Sequence, residues 1–191
     1  MAWVWSFPDD HLDWDATIDY SASKPLSGVE YLSDVPIDFG KNMPVYKTDE
    51  SLKRFERYHC PPFGGEPVVD KVWKEIILRF VPANRIQFHP VRLVAKDGIS
   101  EDFMWVIPFD RVRCIDLQKS DILDKIERPD ITLIYSVRKY VHKEGCLGPF
   151  HLARDEQKEV HLMVSDDLKG ALADTGEKSM FFKPEDLRSI F

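Results

Sequence analysis

The histidines and cysteines of this sequence are the side chains whose spacing could support metal binding or nucleophilic catalysis. His142 and Cys146 are separated by three residues, and His151 lies five residues further on. An adjacent pair, His59–Cys60, could supply further ligands. Imidazole nitrogen and thiolate sulfur suit tetrahedral zinc, but structural zinc sites usually have two tight ligand pairs, and adjacent residues chelate one ion poorly. The spacing therefore favours loop histidines and buried thiols over a metal centre.

A thiolate nucleophile is the second kind of chemistry that these residues allow. Any of Cys60, Cys114 and Cys146 could meet one of six histidines in space, and a neighbouring base is enough to activate a thiol. None of the three lies in a local signature of a cysteine hydrolase. Because the cysteines are odd in number and widely spaced, we expect them to be buried and reduced. A small cysteine- or metal-dependent hydrolase stays open as the alternative function.

Adjacent carboxylates occur at Asp9–Asp10 and at Asp166–Asp167. Glycoside hydrolysis needs two carboxyl groups that converge from separate elements across roughly 5 to 9 Å, which neighbouring residues do not do. Asp166 and Asp167 instead follow Ser165 at the expected start of a helix, where the helix dipole favours negative charge. The sequence also lacks the common motifs of phosphate loops, zinc proteases and serine hydrolases. We therefore expect no catalytic residue, no cofactor and no metal.

Negative charge is concentrated in the first quarter of the chain. The first 50 of the 191 residues hold ten acidic side chains against three lysines, which accounts for the whole net charge of −7. Such a field repels nucleic acid and attracts a basic protein. A second interpretation is that the acids only solvate turns and that Trp3 and Trp5 face the core. The candidate partner-binding residues of this segment are Asp9, Asp10, Asp13, Trp14, Asp15 and Asp19.

Composition places the chain among globular proteins. Apolar residues make up 43% and aromatic residues 12% of the sequence, enough to bury a core. No apolar stretch reaches the roughly 20 residues of a membrane span, and the first residues lack the basic region and cleavage site of a signal peptide. We therefore expect a cytoplasmic protein with no membrane or nucleic-acid partner, whose oligomeric state the sequence leaves unknown.

Periodicity predicts the elements that position these side chains. Alternation predicts strands at 2–7, 85–95 and 102–107, and the last two are joined by an Asp97–Gly98 turn. One apolar face of helical period predicts a helix over 68–80. Other expected elements are a helix capped by Thr48, a short helix opened by Ser120–Asp121, a buried strand at 131–137, a strand at 160–164, a helix capped by Ser165 and a strand at 180–182.

These elements predict the fold class. Several antiparallel strands with three to four short helices indicate an α+β fold that is mostly antiparallel sheet. Two segments, 70–90 and 166–184, share an acid, a helix and a strand that ends in Phe-x-Pro. This pattern suggests two related helix–strand units, although common building rules also produce such pairs by chance.

The order of motifs in residues 67–187 resembles a known family. The matching motifs, in order after a first helix, are Phe88-His89-Pro90-Val91, Trp105, Asp116 with Ser120, Ser165–Asp166 and Phe182. This order is similar to that of the immunity proteins of bacterial polymorphic toxin systems, specifically their eleventh numbered family. The resemblance implies an α+β immunity-type domain at 67–191. Residues 1–66 show no clear resemblance, and we expect this acidic N-terminal segment to pack on the same domain.

The resemblance also implies a function. Members of the family bind a cognate toxin and neutralise it, so there is no catalytic residue to carry over. We therefore expect an immunity protein that occludes the active site of a toxin or effector protein and that uses its acidic segment if that toxin is basic. A small cysteine- or metal-dependent hydrolase is the runner-up, and an adaptor module with a different partner is a third possibility.

Overall fold

The structure of the chain is a computed structural model. It describes residues 1–6, 18–19, 21–23, 34–39, 43–61, 63, 67–177 and 180–187. The chain divides into two units, one formed by residues 7–109 and one by residues 1–6 with 110–191. The predicted division at residue 66 follows the family resemblance and stays a prediction.

Strands outnumber helices among the described residues, and the predicted α+β class with mostly sheet is confirmed. In chain order the strands are β1 (Ala2–Trp5), β2 (Val45–Lys47), β3 (Val68–Val69), β4 (Ile86–Ala95), β5 (Gly98–Pro108), β6 (Arg111–Val112), β7 (Asp121–Glu127), β8 (Thr132–Lys139), β9 (Leu152–Asp155), β10 (Leu162–Ser165) and β11 (Phe181–Phe182). The helices are α1 (Leu52–Phe55), α2 (Lys71–Phe80) and α3 (Asp166–Ala173), with 3-10 turns at Ala83–Arg85 and Pro184–Asp186.

A four-stranded sheet in the order β2-β4-β5-β3 organises the unit of residues 7–109. Strand β2 is parallel to β4, and the other pairs are antiparallel. The hairpin predicted around Asp97–Gly98 is confirmed, since Ala95 pairs with Gly98 where β4 turns into β5. The side chain of Asp97 accepts a hydrogen bond of 2.8 Å from the amide of Leu52, so the turn also holds the start of α1.

Helix α2 begins three residues later than predicted. Val68 and Val69 are drawn into the sheet, where they pair with Trp105 and Met104 of β5. The helix then starts after Asp70, whose carboxylate accepts a hydrogen bond of 2.9 Å from the amide of Trp73. Trp73 and Trp105 are buried, as their apolar surroundings in the sequence predict.

The helix predicted to be capped by Thr48 starts at Leu52 instead, after Ser51. The amide of Thr48 donates to the carbonyl oxygen of Val94 at 3.0 Å, so Thr48 still belongs to the edge of the sheet. Its hydroxyl accepts a 3.1 Å hydrogen bond from the amide of Glu50 in a local turn. The prediction of Thr48 as a helix cap was therefore wrong.

A five-stranded sheet in the order β11-β1-β10-β9-β6 organises the second unit. Strand β1, predicted from the first residues, lies inside this sheet between β10 and β11, where it pairs with both in antiparallel fashion. The hydroxyl of Ser165 accepts a hydrogen bond of 3.2 Å from the amide of Leu168. This bond confirms the predicted cap, which satisfies one free amide at the start of α3.

The helix predicted after Ser120–Asp121 is wrong, because residues 121–127 form strand β7. This strand pairs antiparallel with β8, and the two form a separate two-stranded ribbon of residues 121–139. Ile122, Ile134 and Val137 face a small core that also contains Ile115 and Tyr140. Pairing with β8 therefore overrides the local helical spacing of the apolar residues in β7.

The two helix–strand segments that look alike in sequence have equivalent topologies. Helix α2 connects β3 to β4, and both of these strands are antiparallel to β5, which lies between them. Helix α3 connects β10 to β11, and both are antiparallel to β1, which again lies between them. Each unit therefore contains a strand–helix–strand crossover around one antiparallel strand.

Candidate functional site

Cys114 and Cys146 form a disulfide, with their Cα atoms 4.9 Å apart. The expectation of reduced cysteines is therefore wrong for this pair, whereas Cys60 is free and buried as expected. An isolated bridge between Ile115 and His142 brings the two cysteine segments together across 32 positions of sequence. Since both sulfurs are used in the bond, neither Cys114 nor Cys146 is available here as a nucleophile or a metal ligand.

Two of the three histidines that could have joined a metal site, His59 and His151, make hydrogen bonds elsewhere. Nδ1 of His59 lies 2.7 Å from a carboxylate oxygen of Asp70, the residue that caps α2. Nδ1 of His151 lies 2.8 Å from the hydroxyl of Ser165, the residue that caps α3. Among the described residues, no three histidine, cysteine or acidic side chains lie together in a way that could hold a metal ion.

A cluster of buried and half-buried titratable side chains occupies the unit that contains the ribbon. Both ring nitrogens of His142 and Nδ1 of His161 are buried, with no hydrogen-bond partner among the described residues. The ring of Tyr140 meets that of His161 edge-on, with centroids 5.2 Å apart. Burial lowers the pKa of His142 to about 4 and that of His161 to about 3, so both rings are neutral at pH 7.

Asp155 belongs to the same buried region. Burial raises its pKa to about 6, although its carboxylate accepts hydrogen bonds from the amides of Gln157 at 2.8 Å and Cys114 at 3.3 Å. Burial also raises the pKa of Tyr140 to about 12, assisted by the charge of Asp155. The sulfur of Cys114, whose amide donates to this carboxylate, is held in the disulfide. The cluster therefore makes stability depend on pH.

A cleft of about 860 Å³ opens in the same unit. It is lined by the first two residues, by the stretch 139–145 and by Pro184 with Glu185. Its lining residues carry three cationic groups, namely Lys139, Lys143 and the amino group of Met1, against two acids. Lys143 also donates a hydrogen bond of 3.0 Å to the carbonyl oxygen of Arg113.

Asp166, the first residue of α3, has a structural role. Asp166 accepts hydrogen bonds from the amino group of Met1 and, at 2.8 Å, from Nε1 of Trp3. The first of these bonds lowers the pKa of Asp166 most, and the indole lowers it further. Lys169 lies 3.5 Å above the centre of the Trp3 ring. Trp3 is half-buried, whereas Trp5 is buried in the core.

Of the predicted partner-binding residues, Asp19 is described by the structure. The others, namely Asp9, Asp10, Asp13, Trp14 and Asp15, lie outside the described residues. The exposed Asp19 carboxylate accepts hydrogen bonds from the hydroxyl of Ser21 at 2.6 Å and from the amides of Ser21 and Ala22. The hydroxyl bond is the main cause of its lowered pKa. At this position the acid organises a turn and stays charged at neutral pH.

A comparison with known protein families identifies the family of this chain. The model of the Immunity protein family (Imm11) matches residues 11–186. This chain belongs to the Imm11 immunity protein family. No curated protein matches it at a significant level. The family recognised from motif order is thus confirmed, and the Imm11 match includes most of the N-terminal segment in which the motifs show no resemblance.

Membership of the Imm11 family bears on the role of the chain. An immunity protein family implies a toxin partner in general and a role that is not enzymatic. The disulfide and the hydrogen bonds of His59 and His151 are in keeping with such a role. No helix within the described ranges is long and apolar enough to cross a membrane.

The ribbon of this Imm11 protein exposes apolar side chains that the sequence did not predict. Leu123, Ile126 and Tyr135 of the ribbon are 43%, 46% and 51% exposed. The predicted helix at Ser120–Asp121 hid this surface. One signal could have revealed it, because Arg128-Pro129-Asp130 is a turn-forming stretch between two apolar segments and favours a hairpin.

Proposed function

We propose that this Imm11 protein binds a cognate bacterial toxin in the cytoplasm and neutralises it by covering the toxin's active site, without catalysis of its own. The observation that carries this proposal is the family match over residues 11–186. Inhibition by occlusion needs a stable surface that fits the toxin rather than a reactive group. The disulfide of Cys114 and the hydrogen bonds of His59 and His151 support the non-enzymatic part of the proposal.

The acidic N-terminal segment has a second role in this proposal, which is to attract the toxin. We propose that Asp9, Asp10, Asp13, Asp15 and Asp19, together with Trp14, attract and contact a basic toxin. The concentration of the net charge of −7 in the first 50 residues supports this steering role. Steering by a charged segment accelerates the first encounter and is weakened by salt.

The test begins with the identification of the partner. The tagged chain is purified from its source cells, and the co-purified proteins are identified by mass spectrometry. The candidate toxin domain is then expressed in a sensitive bacterium with and without this chain. Restored growth, together with a stoichiometric complex of the two purified proteins, would support the proposal. Continued killing by a toxin that the chain binds would overturn neutralisation, and failure to bind any toxin domain of the same genome would overturn the function.

The hydrolase alternative predicts different observations. A metal-dependent enzyme retains zinc or another transition metal after purification, and a cysteine enzyme has a thiol with a depressed pKa. Elemental analysis and pH-dependent labelling of Cys60, the cysteine outside the disulfide, separate this alternative from the immunity role. We expect no stoichiometric metal and slow labelling of a buried thiol.

A further inference from the structure

The ribbon formed by β7 and β8 has a free edge, meaning one with which no described residue pairs. Strand β7 pairs with β8, and the described residues form no backbone hydrogen bonds with its other edge. Six of its seven residues are exposed, and Ile122 is half-buried. The far edge of β8 is different, since the amide of Ile134 donates to the carbonyl oxygen of Gln157 at 2.7 Å. An exposed edge strand is a ready template for another strand.

The pairing of β7 with β8 is irregular, and this changes which side chains the ribbon exposes. The register shifts three times along β7, and at each shift one residue has no counterpart on the opposite strand. These extra residues are Leu123 on β7 and Tyr135 and Arg138 on β8. Leu123 and Tyr135 are 43% and 51% exposed, and the Arg138 side chain is 71% exposed. Bulges re-aim side chains and occur often beside functional sites, so the register itself presents these three groups outward.

The opposite side of the ribbon is anchored in the protein. Ile122, Ile134 and Val137 belong to a buried cluster with Ile115 and Tyr140. A strand pair with one side fixed in this way loses little freedom when a partner binds to its other side. Tyrosine is enriched among the residues that dominate binding energy at interfaces, and an exposed aromatic beside two aliphatic side chains suits such an anchor.

The charges on the free edge indicate the kind of partner. Strand β7 carries three carboxylates and one lysine. Lys125 pairs with Glu127 at 2.6 Å and Arg138 pairs with Asp121 at 3.0 Å, whereas Asp124 has no ion-pair partner within the described part of the chain. A second copy of this chain would bring the same acidic edge, and nucleic acid would bring phosphates. A protein segment with basic side chains complements the edge better than either.

We propose that strand β7, with Leu123, Ile126 and Tyr135 as apolar anchors, is the surface on which this Imm11 protein binds its toxin, and that an extended basic segment of the toxin adds to the ribbon as a third strand. The assignment rests on the proposed function. Main-chain hydrogen bonds along the edge supply part of the affinity, and the bulged side chains select the partner. The charge of Asp124 favours a basic side chain at this point of the edge.

Substitution of the anchors tests the assignment. The probe is the purified toxin domain against which the wild-type chain protects growth, and affinity is measured by biolayer interferometry. We expect Leu123→Ser combined with Tyr135→Ser to weaken binding at least about 30-fold, since two anchors of an interface are lost. The matched control combines Val72→Ser with Ile99→Ser, which are 45% and 62% exposed in the other unit. The control is expected to bind within about twofold of wild type.

The charge of the edge is tested separately. Asp124→Lys should weaken binding by about tenfold and reduce its dependence on salt, because a repulsive pair replaces an attractive one. Glu75→Lys makes the same charge change on an exposed face of α2 and is expected to leave both quantities near their wild-type values. Equal thermal unfolding of all four variants and wild type shows that none of the losses comes from misfolding.

Hydrogen exchange tests the addition of a strand directly. In the complex, amides of residues 121–127 that exchange freely in the isolated chain should exchange at least about tenfold more slowly. Slowing confined to other segments overturns strand addition even if the toxin binds.

The remaining outcomes separate this assignment from the function on which it rests. If the anchor variant binds the toxin and protects growth as well as the wild type does, the assignment is overturned and the immunity function is left intact. Failure of the wild-type chain to protect overturns both. A homodimer in light scattering that the anchor variant converts to monomers means that a second copy occupies β7, which also overturns the assignment.

Discussion

The indole nitrogen Nε1 of Trp105 donates a hydrogen bond of 2.9 Å to the phenolic oxygen of Tyr46. The two residues lie on β5 and β2, which are separated by β4 in the sheet. Both side chains are only 2% exposed. This bond therefore ties the edge strand β2 to the middle of the sheet through the core of the unit formed by residues 7–109.

Tyr46→Phe removes the acceptor of this bond and keeps the ring. Because a buried donor that loses its acceptor is not compensated by water, we expect the free energy of unfolding to fall by about 1 to 2 kcal/mol. Denaturant unfolding followed by tryptophan fluorescence measures the change. Tyr135→Phe, on the exposed ribbon, is the matched control and should change stability by less than about 0.5 kcal/mol. Equal stabilities of the two variants would show that the bond contributes nothing.

The Cys114–Cys146 disulfide predicts a redox-dependent stability. A bond that closes a loop of 32 positions restricts the unfolded chain, and its reduction should lower the free energy of unfolding by about 3 kcal/mol. Thermal unfolding with and without a phosphine reductant measures this loss. The double variant Cys114→Ser with Cys146→Ser should unfold like the reduced wild type and should not respond to the reductant.

Thiol counting checks the same bond independently. The protein denatured without reductant should expose one reactive thiol, that of Cys60, and three after reduction. Three thiols without reductant would mean that the cysteines are all reduced, as their odd number and wide spacing predict. Disulfides are typical of oxidising compartments, so the count also bears on the predicted cytoplasmic location.

The buried histidines predict that acid destabilises the fold. The pKa of His142 falls from 6.5 to about 4 on folding, and that of His161 falls from 6.5 to about 3. Below pH 6.5 the unfolded chain therefore binds protons that the folded chain does not, and stability falls as the pH decreases toward 4. Asp155 acts in the opposite direction, because its pKa rises from 3.8 to about 6 on folding. Because two histidines oppose one carboxyl group, the free energy of unfolding falls overall as the pH decreases.

His142→Phe tests this pH dependence. Neither ring nitrogen of His142 has a hydrogen-bond partner among the described residues, so phenylalanine loses no such bond there. We expect the loss of stability between pH 7 and pH 5 to shrink by on the order of 1 to 2 kcal/mol, as the unfolded state no longer gains a proton at this position. Urea unfolding at the two pH values measures the difference. Parallel pH profiles for wild type and variant would contradict the assignment.

The acidic segment predicts an effect on association kinetics. Neutralising Asp9, Asp10, Asp13, Asp15 and Asp19 as Asn should slow association with a basic toxin by about tenfold at low salt and flatten its salt dependence. Stopped-flow measurements from low to high salt give both quantities. The dissociation rate should change little, whereas loss of the ribbon anchors should mainly accelerate dissociation. An unchanged association rate would remove the steering role.

Local signals in the sequence determined several elements of this protein. The alternation on both sides of Asp97–Gly98 predicts the hairpin of β4 and β5, because a tight turn and its flanking strands are close in sequence. The hydroxyl of Ser165 and the apolar period after it likewise predict α3. The order of such motifs was also enough to recognise the immunity family.

Only the tertiary structure decided the features that depend on distant partners. Residues 121–127 have the spacing of a short helix, yet they form β7 because β8 offers a complete strand to pair with. Cys114 and Cys146 carry no signal of pairing, since their approach depends on the bridge between Ile115 and His142. The bulges that expose Leu123 and Tyr135 arise from the same pairing. Contacts between segments far apart in sequence outweigh local propensity, and they set the surface on which the proposed binding depends.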